Sequence, residues 1–163
     1  MRRALIAVIG LSLLAACGTN GEASAPSPEL TEQYACGYGF YASNGDQTVG
    51  LFIDVADFEA AANGGLPATS QLEDGTWRAE LRFGTDLFAN WCDDVLEPGE
   101  PTPDLDETWQ LTGTIEIKQL PPPGQGGPAS ATLSELEARG PDNELIAFDN
   151  FDIQNEFWGT FAG

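Results

Sequence analysis

Trp77-Arg78-Ala79-Glu80-Leu81-Arg82-Phe83 decides the fold class. Trp77, Ala79, Leu81 and Phe83 share one face of an extended chain, and Arg78, Glu80 and Arg82 share the other. Alternation of period two predicts a strand with one face on a core and one in water. The Asp74-Gly75 turn signal sits just before it. Upstream, Val49, Leu51, Ile53 and Val55 alternate in the same way, and residues 35–42 form an aromatic run dotted with glycine. Between them lies Ser43-Asn44-Gly45-Asp46. Asn-Gly is the strongest short hairpin signal, so the two runs are expected to pair antiparallel. Downstream, Trp109, Leu111, Gly113, Ile115 and Ile117 alternate again.

The remaining segments fit the same pattern. Residues 129–138 read as a strand, with a helix as the alternative. Residues 145–148 read as another strand after the Pro141-Asp142-Asn143 turn, and 151–161 as an aromatic-rich closing segment. Residues 88–95 read as a strand or an ordered loop. Residues 57–65 have Asp at the start and Gly at the end, enough for one or two helical turns. Residues 97–107 are expected to be a long acidic loop. Residues 121–128, rich in proline and glycine, cannot lie in a central strand. The expected fold is therefore all-β: a single antiparallel β-sandwich-like or open-barrel domain of about seven or eight short strands.

Composition supports a core and limits partners. Apolar residues make up 42% of the chain and aromatics 10%, too rich for a disordered chain. The chain has 6 basic and 26 acidic residues. Nucleic acid is not an expected partner, because its binders need clustered Lys and Arg. Basic partners, cations or high salt are the surroundings compatible with this charge; a protein or glycan partner stays open.

The N-terminus carries the most specific signal. Met1-Arg2-Arg3 is positive, and residues 4–16 are apolar apart from Gly10 and Ser12. This run is shorter than the roughly 20 residues a transmembrane helix needs, and it reads as an export signal. It ends in Leu14-Ala15-Ala16-Cys17. These residues resemble the lipobox of bacterial lipoproteins. The resemblance implies cleavage before Cys17, a diacylglyceryl group on its thiol and acylation of the new amino end. It covers residues 1–18 only. In cells with an outer membrane, Gly18 after the lipid-bearing Cys resembles lipoproteins sorted outward.

The expected organisation follows: residues 1–16 a signal peptide, 17–29 a lipidated Cys and flexible linker, and 30–163 an acidic β domain. The leader removes Arg2 and Arg3, leaving Arg78, Arg82, Lys118 and Arg139, so the mature charge is 4 − 26 = −22. The expected location is the extracytoplasmic face of the cell membrane or outer membrane, held by the lipid. With Cys17 used by the lipid, Cys36 and Cys92 remain, and in an oxidising compartment they are expected to pair.

Candidate chemistry is sparse. The chain has no His, which excludes Ser-His-Asp and Cys-His nucleophile systems. Calcium is the better candidate as a cofactor, since it takes oxygen ligands from carboxylates and amides. The densest patch is Asp149, Asn150 and Asp152 with Asn155 and Glu156; Asp93-Asp94 and Asp54 with Asp57 are lesser ones. Turn preference alone also places Asp and Asn at such positions. Trp77, Trp91, Trp109 and Trp158 with Tyr34, Tyr38 and Tyr41 form either core or a groove for sugars or peptides. The leading expectation is a membrane-anchored extracytoplasmic lipoprotein serving as a binding or structural module. A calcium-dependent ligand-binding module is the alternative, and an envelope hydrolase using paired carboxylates ranks third.

Overall fold

The computed structural model describes residues 24–93 and 97–159, and its regular structure is almost wholly strand. In chain order the strands are β1 (Ser24–Ala25), β2 (Glu32–Tyr34), β3 (Gly39–Ser43), β4 (Val49–Val55), β5 (Thr69–Gln71) and β6 (Trp77–Thr85). They continue as β7 (Asp104–Gln119), β8 (Gly127–Arg139), β9 (Leu145–Ala147) and β10 (Phe151–Trp158). One helix, α1 (Phe58–Ala62), lies between β4 and β5.

These strands form one sheet in the order β1-β9-β8-β7-β6-β4-β3-β2, with β10 added to β8 and β5 to β7. The ladders are antiparallel apart from the short β1–β9 pair, Ser24 opposite Leu145. This is the open-barrel form of the expected all-β architecture: a single sheet that curls. The strands outnumber expectation because β1, β2 and β5 have only two or three residues each, too few for a period to register.

Local chemistry explains most elements. The β3–β4 hairpin forms as expected, but its loop is longer than a two-residue turn. Asn44 Oδ1 accepts the N–H groups of Thr48 (3.0 Å) and Val49 (2.9 Å). Gln47, not Gly45, takes the left-handed backbone at φ 56°. In α1 the Asp57 carboxylate accepts the N–H groups of Glu59 (3.0 Å) and Ala60 (3.1 Å). The acidic stretch expected to loop out through residue 107 instead enters β7 at Asp104, opposite Thr85 of β6. Its acids stay exposed there, so pairing carries no burial cost. Residues 88–93 are turns rather than a strand.

A bulge bends the sheet. Thr112 pairs with Glu137 and Thr114 with Ser134, so Gly113 alone opposes Glu135 and Leu136. A Cβ on Gly113 (φ 138°) would lie 2.9 Å from the Glu135 carbonyl, which is why glycine stands there. Past the bend β8 exchanges one neighbour for another, β10 along Gly127–Leu133 and β9 along Glu137–Arg139. The concave side holds the main core, with Phe40, Leu51, Ile53, Leu81, Ile115, Leu133, Ile153 and Trp158 buried. Ala61 of α1 joins it, and Gly124 donates its N–H to the Ala62 carbonyl (2.8 Å), tying the proline-rich segment to the helix.

The curl brings β10 against β2 and β3, where side chains join the strands in place of a ladder. The buried Asn155 amide donates to the carbonyls of Gly39 (2.8 Å), Gly37 (3.3 Å) and Cys36 (3.4 Å). Gln33 accepts the Gln154 N–H (2.9 Å) and donates to the Asp152 carbonyl (3.1 Å), as a peptide group of a neighbouring strand would. Asn155→Ala strands buried carbonyls and is expected to cost about 1–3 kcal/mol, whereas exposed Gln33→Ala costs less than Asn155→Ala. Urea midpoints measured at unchanged m-value check both, and equal midpoints for wild type and Asn155→Ala would refute the role of this seam.

Candidate functional site

The outer face of the sheet at β3, β4 and β6 carries the densest chemistry. Register places Tyr41 opposite Phe52, Phe52 opposite Glu80, Gly39 opposite Asp54, and Asp54 opposite Arg78. β4 is therefore not half-buried as its alternation suggests. Phe52, on the face opposite Leu51 and Ile53, is as buried as they are.

What covers it is the 86–93 loop. Asp86, Asn90 and Cys92 take left-handed backbone at φ 52°, 53° and 67°, which turns the chain back over the sheet. Phe88 stacks on Phe52 (4.6 Å, 3°) and Tyr34 stacks on Phe88 (4.0 Å, 8°). Trp91 meets Tyr41 edge-on at 4.6 Å. A Cβ on Gly50 would lie 2.7 Å from the Phe52 ring and 2.8 Å from that of Phe88, so only glycine admits the loop so close. Gln47 anchors the loop by accepting the N–H groups of Leu87 on its carbonyl and Phe88 on its side chain, each at 3.2 Å. The expected Cys36–Cys92 disulfide is present, with α-carbons 5.7 Å apart, inside the span such bridges use.

Polar groups border this aromatic layer. The Tyr41 hydroxyl donates to the Asp54 carboxylate. Burial pushes both groups upward from their ordinary pKa values, and the Asp54 charge beside it raises Tyr41 further. Arg82 lies 4.1 Å over the Phe52 ring and donates to Glu80 through Nε (3.0 Å) and Nη2 (2.9 Å). Arg82 thus pairs along its own strand, with Glu80. Two residues apart on one strand, the side chains share a face and reach each other while Arg82 also covers Phe52.

Beside this face β6 and β7 part. Their ladder ends at Glu80 opposite Gln110, although both strands run on. The gap is a cleft of about 370 Å³ floored by Leu72, Trp77 and Leu111 and rimmed by Glu73, Arg78, Glu80, Gln110 and Thr112. The connection from β5 wedges it open: Leu72 donates its N–H to the Gly113 carbonyl (2.9 Å), and Glu73 accepts the Gly113 N–H (3.3 Å). Arg78 is exposed and makes no ion pair among the described residues.

The proposed calcium ligands do not assemble. In β10, Asp152 and Glu156 point outward to solvent while Asn155 points into the core and spends its amide on the seam. Strand alternation separates them, a constraint that proximity in sequence hides. The Asp152 carboxylate accepts from Thr132, and Asn150 accepts the Glu135 N–H (3.3 Å) at the bulge. Asp149 lines a separate shallow cleft beside Pro28 and Leu30. Asp57 caps α1 and Asp54 binds Tyr41, so that pair is also divided. Asp93 is described and Asp94 lies outside the described residues, as do Cys17, the leader and Phe161. No group of three or more metal-ligating side chains gathers among the described residues.

The aromatic set divides too: Trp77, Trp109 and Trp158 enter the core with Tyr38 packed against it, while Trp91, Tyr34 and Tyr41 join the outer layer. The outer layer was signalled in sequence by Gly50 and Phe52 standing where alternation calls for solvent-facing residues. Comparisons with family models, curated proteins and solved structures gave no match.

Two outcomes follow. Replacing both Cys36 and Cys92 by Ser frees a 56-residue loop and is expected to lower stability by about 4 kcal/mol, read by chemical denaturation under non-reducing conditions. For Asp54, a raised folded pKa means its stabilising contribution is full below the ordinary carboxylate range. That contribution is lost as pH rises through the folded value. Asp54→Asn keeps an acceptor for Tyr41 and cannot ionise. Its stability relative to wild type is therefore expected to climb between about pH 3 and pH 7; a flat or falling difference in urea midpoints excludes this account.

Proposed function

We propose that the chain is a membrane-anchored extracytoplasmic lipoprotein whose β domain serves as a binding or structural module at the cell envelope. The observation that carries the anchoring is Leu14-Ala15-Ala16-Cys17 behind a positive, then apolar, leader. The cysteine pairing supports it. The chain has 3 cysteines, two are joined in the disulfide, and Cys17 is the one left for a lipid. A disulfide that fastens a surface loop suits an exported, oxidising setting. Two or three acyl chains at Cys17 give stable anchoring where one gives only marginal binding.

The module reading rests on the outer face and its neighbouring cleft, which combine an apolar floor with a guanidinium, carboxylates and an amide. Among the described residues the calcium-dependent version has no gathered carboxylates to rest on. The acidic balance favours neutral or basic partners over nucleic acid.

Mass spectrometry of the mature N-terminal peptide, with detergent-phase partitioning, checks the anchoring. The expected mature chain begins at an acylated Cys17, and Cys17→Ser moves the protein from the membrane fraction to the aqueous phase. An intact Met1 or an unmodified Cys17 in protein made by its native host overturns the reading.

A further inference from the structure

The cleft between β6 and β7 has the makings of a specific site. Its apolar floor is deeply buried, with Leu72 2% and Trp77 4% exposed. The indole N–H of Trp77 is already committed to Ser70 Oγ (2.8 Å), which fixes the ring. At the rim, Arg78 is one of 6 basic residues against 26 acidic ones; it stands opposite Asp54, whose carboxyl feels its charge, but it forms no ion pair with any acid among the described residues. Glu80 is drawn toward Arg82 instead. Glu73 gives one oxygen to the Gly113 N–H and keeps the other.

We propose that this cleft binds the zwitterionic α-amino carboxylate of a free amino acid or short peptide. The ligand carboxylate lies on the Arg78 guanidinium, and the ammonium lies toward Glu73 and the Glu80 oxygen that Arg82 leaves free, above a floor that Leu72 and Trp77 close from beneath. Charge selects this class. The chain's net charge of −20 repels anions at a distance, while a bare cation meets the opposing charge of Arg78. A zwitterion is neutral overall and satisfies both signs at short range. Size agrees: a volume of about 370 Å³ lies at the small end of ordinary ligand sites. An added peptide strand does not suit the gap, because Gly113 already gives both backbone groups to Leu72 and Glu73.

The proposal deepens the module reading by naming its ligand class, and it is tested independently of lipidation. The purified full chain is titrated by calorimetry and NMR with L-alanine, dialanine and trialanine, then with amidated and N-acetylated trialanine. Saturable binding is expected, weakened at least about tenfold by Arg78→Gln and by C-terminal amidation. In the Arg78→Gln protein, amidation makes no further difference. N-acetylation of the ligand also weakens binding to wild type. A gain in affinity from alanine to trialanine assigns a peptide ligand, and equal affinity assigns a free amino acid. Arg78 is exposed, so Arg78→Gln retains the wild-type melting temperature, which is checked alongside. No saturation with any of the three, or affinity unchanged by Arg78→Gln or by amidation, overturns the proposal, whatever is found at Cys17.

Discussion

The carboxamide of Asn155 donates into the carbonyls at the start of β3, and that of Gln33 spans the neighbouring backbone of β10. A sheet bent this far must meet itself or leave an edge whose peptide groups lack partners in a dry interior. Here β10 forms no ladder with β2 or β3, and the side-chain amides of Asn155 and Gln33, with the Gly159 N–H on the Gly37 carbonyl (2.9 Å), make the bonds instead. Asn155 is fully buried, so its bonds form away from competing water, where an unpaired carbonyl is costly. The bulge at Gly113 is the complementary device: it supplies the bend that brings β10 round to the seam.

Closure on one side of the sheet is matched by covering on the other. β4 runs through the middle of the structure and is buried on both faces, by the core within and by the 86–93 loop without. The disulfide unites the two layers, since Cys36 precedes β3 at the seam and Cys92 ends the covering loop. Tyr41 and Asp54 form a hydrogen-bonded pair beneath that loop, which keeps two polar groups satisfied where solvent reaches them poorly. Of the charges on this face of β6, Arg82 and Glu80 are half-buried at the edge of the covering and Arg78 is exposed.

The sequence carried the architecture well where strands are long enough to show a period. β4, β6, β7, β8 and β10 each stand where alternation or aromatic content put them. The helical turn at Asp57 and the hairpin at Asn44 were also legible, because capping and turn formation are local. Three short strands were not, since two or three residues hold no periodic signal. The candidate sites were harder. Asn155 resembled a metal ligand in a run of acids, but strand alternation turned it inward. The splay of β6 from β7 follows from Leu72 and Glu73 docking on Gly113, residues 41 and 40 positions apart, a long-range contact that no local pattern announces.

The parallel pairing of Ser24–Ala25 with Leu145–Ile146 bears on reach. The expected linker runs to residue 29, yet the chain is already laid on the sheet at Ser24. Only six residues, 18–23, then separate Cys17 from the first paired residue, a span of seven Cα-to-Cα steps (24 − 17 = 7). Fully stretched, they extend at most about 25 Å. With fatty chains on Cys17, as proposed, the leash is shorter than the linker's length implies. On that proposal the domain would hang by its β1–β9 margin, which would restrict the orientations it samples above the bilayer.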